Sequence, residues 1–312
     1  MYLGFYGLKQ NPFGNCPDPF FFYPSPSHQE ALASLCYGIQ LRRGFLMLTG
    51  EVGTGKTLLT RYLAYLLKRC RISLAYVYNP RLPEREFLQY IISDLSLGNG
   101  TNDKSTLLLR LNDYLLARSK LGSTTALIVD EAHLLSWPVL EEIRLLTNLE
   151  TYHHKLLQIV LVGQPELDEL IDSPGLRQVK QRIAMRKRLL PLTTEQIRCY
   201  IGRRLELSAV KASAREIFSP PAIVAIEKYS GGIPRVINTI CENALVYAYA
   251  QGFPVITAQV VDEVATEFGF ERRPGAVSAG DQDAPQAPRE MIYSEMMSNF
   301  PARNQWSSRA AS

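Results

Sequence analysis

Short apolar runs alternate with amphipathic segments between residues 28 and 192. The runs are bounded by Gly, Pro or polar residues and are too short for helices, so we expect buried strands at 45–48, 72–78, 125–129, 157–162 and 189–192. The segments between them repeat apolar residues three and four apart, and we expect helices at 28–39, 58–68, 83–95, 105–119, 138–152 and 168–171. This alternation predicts an α/β fold with a five-stranded parallel sheet between helices, because parallel strands need a helical crossover.

The alternation of strand and helix stops near residue 193. Four amphipathic segments follow, and we expect helices at 195–207, 220–229, 234–249 and 258–268. The first 27 residues are dense in Pro, Gly and aromatic residues, which favours an irregular segment anchored by rings. Residues 270–312 are polar and rich in small residues, so we expect a disordered tail with one short helix near 289–297. The expected divisions are an N-terminal segment (1–27), an α/β domain (28–192), an all-helical lid (193–269) and the tail.

Composition narrows the class of protein without identifying it. The 312 residues carry a formal net charge of +4, an excess that permits contact with nucleic acid or an acidic membrane without arguing for either. Five scattered cysteines without metal-ligand spacing are typical of reduced thiols in a cytoplasmic protein. We expect no membrane span, and a cytoplasmic location with any attachment to the inner face of the membrane made through partners. At His153-His154 we expect a solvated turn rather than a metal site.

The strongest chemical signal lies between the first expected strand and the helix that follows it. The segment reads Gly-Glu-Val-Gly-Thr-Gly-Lys-Thr and matches a phosphate-binding loop, made of Gly50, Glu51, Val52, Gly53, Thr54, Gly55, Lys56 and Thr57, with Leu58 next in the helix. Its three glycines permit tight turns that aim backbone N–H groups at phosphate oxygens. We expect Lys56 to reach the β- and γ-phosphates of ATP and Thr57 to ligate Mg²⁺. The alternative is a plain glycine turn between a strand and a helix.

Asp130 and Glu131 directly follow the apolar run 125–129. A buried strand that ends in two carboxylates can deliver one to Mg²⁺ and hold the other beside an attacking water. Two adjacent carboxylates can also be an ordinary strand end, and taken alone that alternative is the better one. Because a phosphate loop precedes them, we assign Asp130 to Mg²⁺ and Glu131 to the water.

The order of these elements resembles the AAA+ ATPases over about residues 28–268. Within that superfamily the opening of the chain is similar to the ExeA-type ATPases (general secretion pathway protein A), through Phe5-Tyr6-Gly7-Leu8, Asn11-Pro12-Phe13, Pro17-Asp18-Pro19, Tyr23, Ser25, His28, Glu30-Ala31-Leu32, Leu35 and Tyr37-Gly38. The stretch 161–167 is shared with these proteins and with transposition-regulator ATPases. The resemblance implies a P-loop fold with a helical lid, ATP and Mg²⁺ as cofactors, and ATP hydrolysis.

The resemblance also implies roles for four further residues. Asn79 resembles the polar residue that restrains the catalytic glutamate until a partner binds. Gln164 occupies the sensor position beside the γ-phosphate, where many AAA+ proteins have Asn or Thr, and Arg235 matches the second sensor in the lid. Arg182 matches the arginine finger that one subunit supplies to its neighbour, and a solvated basic face over 176–188 is the lesser alternative. The aromatic opening either lies near the adenine or only covers core.

The resemblance implies an ATP-promoted homo-oligomer, a ring or a filament, that assembles or remodels an envelope secretion or exopolysaccharide-export system, with an envelope or export-machinery protein as partner. Secretion members carry a membrane span and a peptidoglycan-binding domain after the lid. Here a polar tail follows it, so we expect a likeness to the soluble relatives found beside exopolysaccharide and protein-sorting genes.

Two rivals to this leading hypothesis remain. The runner-up is a DNA-associated ATPase regulator like the transposition ATPases, for which the basic stretches 177–188 and 211–215 are the only features. The third is a nucleotide-held scaffold, against which Glu131 argues. The string from Asp130 to His133 is also similar to a helicase signature, but residues 193–312 offer no second sheet domain.

Overall fold

The computed structural model describes residues 1–16, 18–98, 103–210 and 216–272. The basic stretch 211–215, the tail beyond residue 272 with its expected helix, and part of the loop after residue 97 lie outside the described residues. The described chain forms two compact units. One contains Pro26–Glu51 and Lys56–Leu189, and the other contains Met1–Ser25, Val52–Gly55 and the residues from Leu190 onward.

A parallel sheet forms the centre of the first unit, as the sequence predicts. Its strands are β1 (Phe45–Gly50), β2 (Ser73–Val77), β3 (Thr125–Val129), β4 (Leu157–Gly163) and β5 (Ile183–Leu189). They are ordered β2-β3-β4-β1-β5, and every neighbouring pair is parallel. β1, β3 and β4 are buried at every position, which explains why their sequences are apolar without alternation. The carboxyl ends of β1, β3 and β4 therefore meet at one edge of the sheet.

Helices connect the strands and make up most of the second unit. In chain order they are α1 (Tyr2–Phe5), α2 (Pro26–Gln40), α3 (Lys56–Arg69), α4 (Glu84–Asp94), α5 (Lys104–Lys120), α6 (Trp137–Leu146), α7 (Glu166–Asp172), α8 (Arg177–Lys180), α9 (Thr194–Ser208), α10 (Pro220–Ser230), α11 (Pro234–Ala250) and α12 (Ala258–Glu267). Short 3-10 turns cover Pro19–Phe21, Ala132–Leu134 and Pro174–Leu176. The helices expected before residue 270 are present, and α9 to α12 confirm the helical region after residue 193.

The fifth strand lies earlier in the sequence than expected. The prediction of a strand at 189–192 is wrong, because β5 begins at Ile183 and consists largely of the basic run itself. β5 is the edge strand beside β1, so its outward side chains need not be apolar. Three of its cations reach acidic partners in the same unit: Arg186 to Asp172 at 3.0 Å, Lys187 to Glu30 at 2.6 Å and Arg188 to Glu51 at 3.7 Å.

Helix α6 ends at Leu146, well before the expected end at residue 152. The Thr147 hydroxyl donates to the Arg144 carbonyl at 2.6 Å, a side-chain bond that competes with continuation of the helix. A β-bridge between Glu150 and Lys155 then reverses the chain towards β4. The apolar residues that suggested a longer helix belong to this turn instead.

The turn before β4 also carries the paired histidines, and only one of them is solvated as expected. His153 is exposed, whereas His154 is half-buried and contacts Arg42 and the Ser119 hydroxyl, the latter at 2.9 Å. Burial and the neighbouring Arg42 cation lower the pKa of His154. Within the described residues no group of three or more His, Cys, Asp or Glu could hold a metal ion, and all five cysteines are unpaired.

The N-terminal segment contributes to the core of the helical unit. Phe13 is 1% exposed and packs edge-on against Phe218, and the Arg204 guanidinium donates to the Pro12 carbonyl at 2.6 Å. The segment is anchored by its rings as expected, but the expectation that it contains no helix is wrong, because it includes the single turn α1 and a 3-10 turn that Asp18 caps. Over the described ranges, no helix is both long and apolar enough to cross a membrane.

Candidate nucleotide site

The loop between β1 and α3 has the backbone shape of a phosphate-binding loop. Gly53 and Gly55 have φ values of 83° and 98°, which residues with a Cβ rarely adopt. Gly50 does not need this freedom, contrary to expectation, because it is the last residue of β1 and pairs with Leu189. Helix α3 starts at Lys56, so its N-terminal N–H groups face the loop, where they favour an anion.

Lys56 is held inside this loop rather than extended into solvent. Its ammonium group donates to the Gly50 carbonyl at 2.7 Å and to the Glu51 carbonyl at 2.9 Å, and the residue is only 7% exposed. Burial lowers the pKa of Lys56, and the carboxylates of Glu131 and Asp130 oppose that shift. The result is a buried cation next to two acidic groups, with donors free to exchange carbonyl oxygens for phosphate oxygens.

Asp130 lies buried at the end of β3, in contact with the first turn of α3. The residue is 3% exposed, and its carboxylate accepts a hydrogen bond from the Tyr76 hydroxyl at 3.1 Å. The Tyr76 hydroxyl is also 2.7 Å from the Thr60 hydroxyl. Burial raises the pKa of Asp130, while the hydrogen bonds from the Glu131 N–H and Tyr76 act in the opposite direction. The nearby Thr57 hydroxyl also acts to lower it. Thr57 and Asp130, predicted separately from the sequence, are therefore adjacent.

Glu131 differs from its neighbour in being accessible. Its side chain is 40% exposed, and its backbone is left-handed with φ 51° and ψ 35°. Its N–H donates to the Asp130 carboxylate at 2.9 Å, which stabilises the sharp turn after β3. The Glu131 carboxylate lies 3.6 Å from the His133 ring, and His133 in turn contacts the Gln164 side chain at 3.0 Å. The accessible carboxylate of Glu131 is suited to activating water, and the buried carboxylate of Asp130 is suited to holding a metal ion.

Asn79 does not meet Glu131 in this conformation. Its side-chain oxygen accepts a hydrogen bond from the Arg81 N–H at 3.2 Å, as in an Asx turn at the end of β2. No hydrogen bond joins Asn79 to Glu131 anywhere in the described chain. A restraint of Glu131 by Asn79 stays a prediction.

Arg235, the expected second sensor, contacts the phosphate loop through Gly53, which belongs to the same compact unit. The Arg235 N–H donates to the Gly53 carbonyl at 3.2 Å. A Cβ added at Gly53 would lie 2.7 Å from the Arg235 Cβ and 3.0 Å from an Ile233 methyl carbon. The absent side chain therefore lets the start of α11 approach the loop closely.

Arg182 lies in the turn between α8 and β5. Its guanidinium donates to the Thr147 hydroxyl at 2.7 Å. Hydrogen bonds from Arg144 and Lys155 lower the pKa values of Glu141 and Glu150, and the charge of Arg182 adds a smaller effect in the same direction. The residue is half-buried against its own chain, so its role towards a neighbouring subunit stays a prediction.

Two residues at the site were missed as candidates. Tyr76 sits on β2 within an apolar run, and nothing in the sequence distinguishes it from a core tyrosine. His133 was noted only as part of a helicase-like string, although its position two residues after Glu131 was visible. Both act through the parallel register of neighbouring strands, which a single sequence does not reveal.

Comparisons with known proteins agree with this geometry. Residues 39–171 match the AAA domain family. The chain is 43% identical over 281 residues to general secretion pathway protein A of Aeromonas hydrophila, covering 90% of this chain and 51% of that protein, so it spans about half the length of this curated relative. Among solved structures it is similar to Cdc6p of Pyrobaculum aerophilum (TM-score 0.61, 20% identity, 82% of this chain and 70% of the other). It is also similar to the ADP form of Aeropyrum pernix ORC2 (TM-score 0.58, 13% identity, 96% and 88%). These structural likenesses establish the fold alone.

Proposed function

Because this chain belongs to the ExeA-like family of AAA+ ATPases, we propose that it binds ATP with Mg²⁺ and hydrolyses the bond between the β- and γ-phosphates, releasing ADP and phosphate. The observation that carries the proposal is the cluster at the ends of β1 and β3. Lys56 and Asp130 are buried, the Thr57 hydroxyl lies near Asp130, and Glu131 remains accessible beside them. A phosphate-binding loop alone would allow the protein to bind ATP. An accessible carboxylate beside that loop can also activate water for ATP hydrolysis.

The residues present fit a magnesium ion. The neighbouring Thr57 hydroxyl and Asp130 carboxylate are hard oxygen donors, and Mg²⁺ in nucleotide sites is held by one or two such groups together with substrate phosphates. Thr57 and Asp130 would hold the ion, which when bound neutralises charge on the phosphate oxygens. Tyr76 keeps the Asp130 carboxylate facing Thr57, and Lys56 supplies a point charge to the phosphates.

Glu131 would orient the attacking water and accept its proton. Its side chain is 40% exposed and can reach solvent, while the hydrogen bond from its backbone N–H to the Asp130 carboxylate holds the Glu131 backbone in place. Charge that develops on the transferred group needs further cations. In an ATP-promoted homo-oligomer, Arg182 of a neighbouring subunit would supply one.

We further propose that hydrolysis drives the assembly or remodelling of an envelope secretion or exopolysaccharide-export system. The support is the 43% identity to the Aeromonas hydrophila general secretion pathway protein, of which this chain spans about half. Replacing the chromosomal copy by the Glu131→Gln form should lower the secreted protein or exopolysaccharide in the medium. Normal amounts of both would overturn this role while leaving the ATPase proposal intact.

The chemical test uses variants whose effects differ. Glu131→Gln should bind ATP with wild-type affinity and hydrolyse it at least about 100-fold more slowly. Lys56→Ala should lose ATP binding, because the phosphates lose their buried point charge. Lys68→Ala, at an exposed position in the last turn of α3, is the matched control and should behave as wild type. Hydrolysis by Glu131→Gln at the wild-type rate would remove Glu131 from the mechanism.

Binding to DNA is not favoured by the described part of the basic run. Lys180 and Arg186 share Asp172 at 3.0 Å each, and Lys187 and Arg188 also have acidic partners. Cations neutralised within the chain contribute less to phosphate contacts. Duplex binding that weakens steeply between low and physiological salt would restore the DNA-associated reading.

A further inference from the structure

His133 lies between Glu131 and Gln164 and contacts both. Its Nε2 atom is 3.0 Å from the Gln164 side-chain nitrogen, and its Nδ1 atom is 3.6 Å from the Glu131 carboxylate. The His133 side chain is only 11% exposed, so these contacts are shielded from water and correspondingly stronger. None of the roles proposed above uses this histidine.

Both ring nitrogens of His133 lie against Gln164. The Gln164 backbone N–H donates to Nδ1 at 3.5 Å, the outer limit of a hydrogen bond, and the Gln164 side-chain amide lies 3.0 Å from Nε2. Nδ1 also faces the Glu131 carboxylate at 3.6 Å, slightly farther than a hydrogen bond. One ring therefore lies against both residues.

The chain around His133 is shaped for this contact. The left-handed backbone of Glu131 turns the chain from β3 into the 3-10 turn Ala132–Leu134, which packs on the end of β4. Gly163 permits the close approach of this turn, because an added Cβ would lie 2.8 Å from a Leu167 side-chain carbon and 3.2 Å from the backbone nitrogen of His133. Gln164 follows directly, so the ring is held beside it.

We propose that His133 is a positioning residue that couples Gln164 to Glu131. β3 and β4 are parallel neighbours, so the two residues that follow them lie at the same edge of the sheet. A displacement of Gln164 by the γ-phosphate is transmitted through one rigid ring to the carboxylate that orients the water. This coupling rests on the proposed ATP hydrolysis and explains how Glu131 is kept inactive until the phosphate is in place.

The test separates the two ends of the ring. His133→Ala removes both contacts and should lower kcat by roughly 10- to 100-fold, as small misplacements of catalytic groups do, with the affinity for ATP unchanged. His133→Asn keeps a polar group near the Nδ1 position, and His133→Gln keeps one near the Nε2 position. Each should retain part of the rate. His153→Ala, at an exposed histidine, is the matched control and should hydrolyse ATP as wild type does.

Coupling is measured by combining His133→Ala with Gln164→Ala. If the ring connects the two residues, the double variant should be no slower than the slower single variant. Losses that multiply, or His133→Ala with wild-type kcat, would overturn the coupling while leaving hydrolysis intact. If His133→Ala shows no thermal unfolding transition, it has not folded, and the Asn and Gln variants provide the test instead. Wild-type kcat in both of them would overturn the coupling. Absence of hydrolysis in the wild-type protein would instead overturn the proposed function.

Discussion

The Tyr76 hydroxyl donates a hydrogen bond to the Asp130 carboxylate across adjacent strands, at 3.1 Å. The same hydroxyl lies 2.7 Å from the Thr60 hydroxyl on α3, so one phenol fixes the carboxylate relative to the helix that follows the phosphate loop. Tyr76 is 6% exposed, and removal of its hydroxyl would leave Asp130 with one fewer partner in a dry site.

Tyr76→Phe should therefore raise the Mg²⁺ concentration needed for half-maximal hydrolysis. A hydrogen bond to a charged group contributes about 1.5–3 kcal/mol, which corresponds to a shift of about 10- to 100-fold. The measurement is the ATPase rate as a function of Mg²⁺ at saturating ATP. Tyr37→Phe is the matched control, because it makes the same substitution at a tyrosine that is 43% exposed. Its Mg²⁺ dependence should match that of the wild type. Coincident curves for all three proteins would contradict a role for Tyr76.

Gly53→Ala should weaken ATP binding through the contact with α11. The new methyl group would lie 2.7 Å from the Arg235 Cβ, and the φ of 83° adds strain of about 1–2 kcal/mol. Equilibrium binding of a fluorescent ATP analogue is the measurement, with at least a tenfold loss expected. Gly122→Ala separates the two effects, because Gly122 has φ 71° and open space around it. It should lower thermal stability without changing ATP affinity.

Arg182 should act on the site of a neighbouring subunit. Mixing Arg182→Ala chains with Lys56→Ala chains should then restore activity, because some interfaces combine an intact site with an intact arginine. A trans arginine contributes roughly a thousandfold or more in rate, so even few mixed interfaces are detectable. Thr147→Val removes the intramolecular partner at 2.7 Å and should leave most of the activity. A mixture that co-assembles yet stays inactive would assign the finger elsewhere, to Arg186 or Arg177.

Phe13→Ala should destabilise the helical unit. Its ring is 1% exposed and contacts Phe218, and truncation of such a residue costs about 3–5 kcal/mol. Thermal unfolding monitored by circular dichroism measures the loss. Val224→Ala, at a 57% exposed position on α10, should change stability by no more than about 0.5 kcal/mol. Equal transitions for the two variants would remove the N-terminal segment from the core.

The sequence sufficed for those features that are local. Buried strands with continuous apolar runs, such as 125–129, were predicted with their observed bounds, because burial on both faces leaves an unambiguous pattern. The loop around Lys56 was equally accessible, since glycines at fixed spacing have few other uses.

The remainder depends on contacts between distant segments. β5 was misplaced because an edge strand may be basic when acidic residues such as Asp172 and Glu30 lie beside it, and their positions follow from the fold. Tyr76 and His133 were overlooked as site residues for the same reason. Their partners Asp130 and Gln164 come from neighbouring strands, and no spacing along the chain encodes that register.

The contacts of the N-terminal segment affect the order in which the two units fold during synthesis. Pro12 and Arg204, which bond to each other, are 192 residues apart, and Tyr2 bonds to Glu242 across 240 residues. Tyr2 and Pro12 therefore leave the ribosome 240 and 192 residues before the partners to which they bond. The sheet unit, whose strands end at Leu189, can fold in the meantime. The helical unit, which contains both partners of each of these bonds, therefore completes its folding last.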